Sequence, residues 1–262
     1  MISIDQYVYA NKLMEVHPIE KFSLTITTMV VCLSSPSIYT PILAMIIMAW
    51  LVIVKAGIPA KFFIHLLGIP IVFLLMGELT LVFSISNRIE DFLYYWGSGS
   101  YIIGITLLDI NNALLLFFKS LGTVSCLYFL ALTTPMVEII AVLRKLKMPK
   151  LFIELMSLIY RFIFVLLESA AAIYMAQGSR LGYVTLRSSF RSISHLIYAI
   201  FVRSIQRSQM LATALEARCY QGEIRVLEKE FAVSKRSIVF IIMVESVLIL
   251  SSVILKGGNF FG

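Results

Sequence analysis

The sequence predicts an all-α membrane protein. It should have about five transmembrane helices, with a cytoplasmic module of amphipathic helices inserted between the fourth and the fifth. Three observations carry this expectation. Hydrophobic residues make up 60% of the 262 positions and charged residues only 14%, whereas soluble domains are about half apolar and about one quarter charged. The mean hydropathy is +0.93. The net charge of +7 is concentrated in one block, Pro135 to Arg236, which holds fifteen Lys/Arg and seven Asp/Glu. A basic block between apolar runs reads as cytoplasmic, because Lys and Arg are retained on that side. A nucleic-acid patch is the weaker reading of the same charges beside so much apolar sequence.

The spans follow from runs of about 20 apolar residues, the length that crosses about 30 Å of hydrocarbon. Phe22 to Val54 is interrupted at Ser34-Ser35-Pro36, which predicts spans over about 20–34 and 38–55 joined by a tight turn. A third span is expected from about Phe62 to Ile85, with Glu78 inside it and a kink near Gly68-Ile69-Pro70. Asn87 to Ser100 reads as an exposed loop with interfacial aromatics. A fourth span lies within Ala113 to Thr134 and contains Lys119; the last runs from about Ile238 to Leu255. With the N-terminus inside, the Lys55/Lys61 loop and the basic block are also inside, and the C-terminus is outside. The charged first 21 residues do not resemble a secretory signal, so the first apolar run is expected to be retained.

Between spans four and five the apolar character persists but its geometry changes. In "TTPMVEIIAVLRKLKMPK", Thr134 suits an N-cap, Pro135 the first helical position and Glu138 the first turn. That predicts a short helix over 135–147. Residues 151–178 carry Glu154, Arg161 and Glu168 at seven-residue spacing, which places all three on one stripe of a helix. A crossing would put one of the flanking basic clusters outside and charges at mid-bilayer, at a cost of a few kcal/mol each. A long amphipathic helix on the inner membrane surface avoids this. The alternative is a tilted span whose charges pair inside a bundle. A second helix, about Ser188 to Arg218, has only a short fully apolar run, too short to span. It sets Arg203, Arg207 and Arg218 in a narrow arc and carries an apolar set of Phe190, Ile193, Ile197 and Ile200, so it too is amphipathic and basic.

Little in the chain points to catalysis. There is no phosphate-binding glycine-rich loop, no His-rich metal motif and no aspartate ladder, and Cys32, Cys126 and Cys219 are widely spaced. We expect no catalytic, cofactor-binding or metal-binding residues. Glu78 and Lys119 are the ionisable residues singled out within spans. They are read as a brace, pairing with each other or with Asp109 or Asn112, rather than as a relay.

What remains is a pair of helix ends, "AQGSRLGY" and "ALEARCYQG". Each has one arginine among small or apolar residues, followed by a glycine or a tyrosine and an adjacent break. Charge–dipole complementarity at a helix C-terminus explains either one alone, at about 0.3–1 kcal/mol. Two such ends in one module suggest two equivalent docking points, since the guanidinium fork suits helix-end carbonyls or carboxylates on a partner.

These segments carry a resemblance. "LRKLKMPKLFIELMSLIYRFIFVLLESA", the "SRLG" end, "HLIYAIFVRSIQRSQMLATALEARCYQGE", "TTP" and the N-terminal "HPIEKF" resemble the T component of energy-coupling factor (ECF) transporters, and most closely its CbiQ-type cobalt/nickel subgroup. The resemblance implies a non-catalytic scaffold in a prokaryotic cell membrane. Its implied partners are two cytoplasmic ATPase subunits, which bind ATP and Mg, a small membrane substrate-binding (S) subunit, and lipid. It further implies ATPase docking through x-Arg-x motifs at Ser179-Arg180-Leu181 and Ala217-Arg218-Cys219, at the ends of coupling helices whose amphipathic faces hold the S subunit. The family commonly has glycine where Cys219 stands, a change that is tolerable if the residue is helical and strained if it forms a left-handed cap. The implied division is a four-span region 1–134, a coupling module 135–234, and a last helix with its tail, 235–262. An ordinary ABC permease is the alternative, on a slight likeness of "ESAAAIYMAQG" to a permease coupling loop.

Overall fold

The computed structural model describes residues 3–82, 84–86, 94–96, 102–220 and 235–254. The chain is an all-α, multi-pass membrane protein, with one small sheet among the described residues. Its internal contacts divide it into two units, Met1–Ile139 with Glu230–Gly262, and Ile140–Lys229.

The first unit begins with α1 (Ser3–Ala10) and a 3-10 turn (Lys12–Glu15), then α2 (Pro18–Ser34). His17 caps α2 by accepting the Ile19 amide at Nδ1 (3.1 Å), and Pro18 supplies the preset φ of a first helical residue. Ser35 and Ser37 make the expected tight turn, Ser35 Oγ accepting the Ser37 amide and Ser37 Oγ that of Tyr39. Helix α3 (Tyr39–Trp50) continues as a π-helical turn, Leu51–Lys55. Helix α4 (Ala60–Val82) then runs with Pro70 inside it. Strands β1 (Ser84–Ser86), β2 (Tyr94–Trp96) and β3 (Ile102–Ile105) form an antiparallel sheet in the order β1-β3-β2. Helix α5 (Leu107–Thr133) follows, and α9 (Lys235–Ile254) closes this unit.

Two expectations are corrected here. The third helix stops at Val82 and does not continue to Ile85, because Ser84–Ser86 pairs with Ile102–Ile105. The fourth helix starts earlier than Ala113, at Leu107. Before α2, the charged N-terminal residues form α1 and the 3-10 turn. Most of the expected loop 87–100 lies outside the described residues. By length and composition, α4, Asp109–Thr133 of α5 and α9 are long and apolar enough to cross a membrane, and Tyr39–Lys55 is a shorter apolar helix.

Helix α5 is the hub, packing against α1, α2, α3 and α4. Its close fit depends on Gly122. A Cβ there would lie 2.9 Å from Cys32 Sγ and 3.0 Å from the Pro41 carbonyl oxygen, so only glycine lets α2, α3 and α5 approach so nearly. Leu24, Met48, Val52, Phe63, Leu121, Phe129 and Leu248 fill the surrounding core. Buried hydroxyls return to the helix backbone four residues back: Thr25 to Lys21 (2.8 Å), Thr28 to Leu24 (2.7 Å), Ser125 to Leu121 (2.8 Å) and Thr133 to Phe129 (2.6 Å).

Gly122→Val should therefore lower stability by about 1–3 kcal/mol through overpacking. Gly68→Ala, whose added methyl group meets nothing within 4 Å, should cost no packing. Thermal unfolding of both variants in detergent checks this.

Candidate partner-docking site

The second unit contains most of α6 (Met136–Lys145), then α7 (Lys150–Ser179) and α8 (Leu186–Glu216). Pro135 precedes α6, and its carbonyl accepts the Glu138 (2.9 Å) and Ile139 (3.2 Å) amides. Both long helices carry exposed apolar side chains. Leu151, Leu155, Ile159, Ile163 and Leu167 recur every four residues on α7, and Phe190, Ile193, Ile197, Phe201 and Ile205 repeat on α8.

The ends of α7 and α8 have the same backbone geometry. At the first, Arg180 is the last residue before a left-handed Leu181 (φ 58). The Gly182 amide reaches the Gln177 carbonyl (2.9 Å) and the Leu181 amide reaches Gly178 (3.0 Å). At the second, Arg218 precedes a left-handed Cys219 (φ 55). There the Tyr220 amide reaches Leu215 (3.0 Å) and the Cys219 amide reaches Glu216 (3.0 Å). Both are Schellman caps, with the arginine at the C-cap and the third motif residue at C′. Ser179, Arg180, Leu181, Ala217, Arg218 and Cys219 are all exposed. Of the two conformations weighed for Cys219, it adopts the left-handed one. That gives a physical reason for a glycine at this position: a Cβ is disfavoured there by about 1–2 kcal/mol.

Each tip is braced by its own contacts. At the first, the Tyr183 hydroxyl donates to Gln177 Oε1 (2.6 Å) and Gln177 Nε2 donates to the Ser192 carbonyl (3.0 Å). Ser188 and Ser192 hydroxyls both donate to the Gly182 carbonyl (2.8 and 2.9 Å), and the Tyr174 and Tyr183 rings stack at 4.7 Å. At the second, the Tyr220 hydroxyl donates to Glu154 Oε2 on the first turns of α7. The hydrogen bond to that carboxylate pushes the Tyr220 phenol above its ordinary value. The start of α8 thus adjoins the end of α7, and the end of α8 adjoins the start of α7. The arginine tips stand at opposite ends of an antiparallel pair. With 31 residues in α8, they are separated by about 45 Å of helix length.

The other charged residues singled out from sequence are arranged differently. Arg161 and Glu168 are exposed on α7, and Glu154 serves the second tip. Glu78 and Lys119 do not form an ion pair. Lys119 Nζ instead donates to the Leu33 carbonyl (3.1 Å), one of the last carbonyls of α2, which lack intrahelical donors. Sequence reasoning missed Glu245 in α9, whose Oε1 accepts the Thr27 (2.8 Å) and Thr28 (2.7 Å) hydroxyls of α2. A lone acid inside an apolar run was the available signal. Among the described residues, no group of three or more His, Cys, Asp or Glu side chains is placed to hold a metal ion.

Residues 10–229 match the CbiQ family, described as cobalt transport proteins. The chain belongs to that family. It is similar to an uncharacterised protein of Methanocaldococcus jannaschii, at 33% identity over 97% of this chain and 93% of the relative. The cobalt transport protein CbiQ of Salmonella typhimurium is 31% identical, over 86% of this chain and 100% of its own. The energy-coupling factor transporter transmembrane protein EcfT of Ruminiclostridium cellulolyticum is 30% identical, over 84% of each chain.

Cys219→Gly should relieve the left-handed strain and strengthen the second tip by about 1 kcal/mol. Gly182→Ala should do the reverse at the first, since the added Cβ would stand 2.7 Å from Ser192 Oγ and 2.8 Å from the Gln177 carbonyl oxygen. Hydrogen exchange of the amides at Arg180–Gly182 and Arg218–Tyr220 reads both effects.

Proposed function

We propose that this chain is the transmembrane T component of an ECF transporter. In this reading it couples ATP hydrolysis by two cytoplasmic ATPase subunits to movement of a membrane S subunit, with cobalt or nickel as the cargo. The chain is not itself an enzyme; ATP and Mg are bound by the ATPases. Family membership and the EcfT and CbiQ relatives support the role. The observation that carries the mechanism is the pair of matching arginine tips at opposite ends of α7 and α8.

Each guanidinium projects from a rigid left-handed cap with five donors in a planar fork. It can enter a groove on one ATPase and bond carboxylates or helix-end carbonyls there. A separation of about 45 Å lets two ATPases sit side by side, one on each tip. Closure of that pair on ATP then displaces both ends of one helix pair together. The exposed apolar faces of α7 and α8 are the surface for the S subunit and the inner leaflet. Glu154, Arg161 and Glu168 keep the same module amphipathic rather than buried. The reading includes five spans, formed by α2, α3 with its π-helical turn, α4, α5 and α9. The N-terminus and coupling module lie in the cytoplasm and the C-terminus outside, as the distribution of Lys and Arg favours.

Arg180→Glu combined with Arg218→Glu should abolish ATP-driven uptake while the chain still inserts and binds its S subunit. Lysine at both positions keeps charge but loses the fork, and should give an intermediate rate. Uptake by proteoliposomes of the complete transporter measures this; wild-type uptake by the double glutamate variant would refute the docking assignment.

A further inference from the structure

Helices α5 and α6 are joined by only two non-helical residues, Thr134 (φ −128, ψ 115) and Pro135. Such a corner leaves the last carbonyls of α5 without intrahelical donors, and Pro135 has no amide to offer. Two side chains from the N-terminal segment fill the gap. Lys21 Nζ donates to the Thr133 carbonyl (3.0 Å), and Asn11 Nδ2 lies 3.4 Å from both the Leu132 and Thr133 carbonyl oxygens. Lys21 Nζ also stands 3.7 Å from Glu138 Oε2, in the first turn of α6. One ammonium therefore complements the negative end of α5 and a carboxylate at the positive end of α6. Lys21 is 3% exposed and Glu138 12%, so water does little to screen or replace this contact.

We infer that Lys21 is a positioning residue for transport: it locks the α5–α6 corner to α2, so that displacement of α6 is passed to the membrane helices instead of being lost in a bend. The inference rests on the T-component reading. Neither docking tip nor apolar coupling face includes Lys21, so ATPase binding and energy transfer separate at this residue. Without the lock, the two-residue link has its own backbone freedom and the Thr133 carbonyl loses the shorter of its two side-chain contacts. Opening the corner in the native protein would separate the Lys21 ammonium from the Glu138 carboxylate and from the Thr133 carbonyl at a site that water barely reaches, which favours the closed corner.

The test uses the full transporter in proteoliposomes, measuring ATP hydrolysis and cobalt(II) uptake together, with nickel(II) in parallel. The variants are Lys21→Met, Lys21→Arg, and Lys21→Met with Glu138→Met. The double variant removes both members of the ion pair, so it remains testable if Lys21→Met alone does not fold. The expected result is ATPase co-purification at the wild-type level, retained hydrolysis, and uptake per ATP reduced about tenfold, within the usual range of coupling between sites. Lys21→Arg should restore most of it, since it keeps a charged donor for both acceptors. Uptake per ATP near wild type in the double variant would overturn the role of Lys21. Failure of the wild-type chain to bind ATPases would instead overturn the T-component reading.

Discussion

Hydrocarbon offers no hydrogen bonds, and that constraint organises the membrane unit of this protein. Every polar group on α2, α5 and α9 has to find its partner within the protein. Thr25, Thr28, Ser125 and Thr133 satisfy themselves against their own helices. Lys119 spends its charge on the end of α2, Glu245 gathers two threonine hydroxyls, and Thr40 meets Ser251 at 3.2 Å. These contacts tie α5 and α9 to α2 and α3 where apolar packing alone has no direction. Gly122 then lets the backbones approach closely enough for dispersion to hold them.

The second unit meets the opposite requirement. Its helices have few buried residues and keep apolar side chains exposed along most of their length. An amphipathic helix in that condition is held by a partner or by the membrane surface. At the two ends, Schellman caps, the Gln177–Tyr183–Ser192 cluster and the Tyr220–Glu154 bond fix the backbone around one arginine each. Rigid tips on an otherwise unpartnered pair of helices suit a component that receives force at its ends and delivers it along its sides.

The sequence made some of this legible. Apolar runs broken by Ser-Ser-Pro and by charged loops locate α2, α3, α4, α5 and α9, because span length is dictated by bilayer thickness. The arginine ends were visible from their glycine and tyrosine breaks. The small sheet was not, since Ser84–Ser86 and Ile102–Ile105 look like ragged span ends until they are paired. Charge pairing was harder to read for a related reason. Sequence reasoning matches acids with bases, whereas Lys119 is satisfied by a helix-end carbonyl and Glu245 by hydroxyls. The Lys21–Glu138 contact joins "HPIEKF" to the turn after "TTP", segments too distant along the chain for any local pattern to connect.

The central claim is that each arginine tip holds one ATPase independently. Native mass spectrometry of the complex, comparing the wild-type chain with Arg180→Glu and Arg218→Glu separately, tests it most directly. The account predicts two ATPases on the wild type and one on each single variant. Two ATPases retained on both single variants would contradict it, because the tips would then be ordinary helix caps.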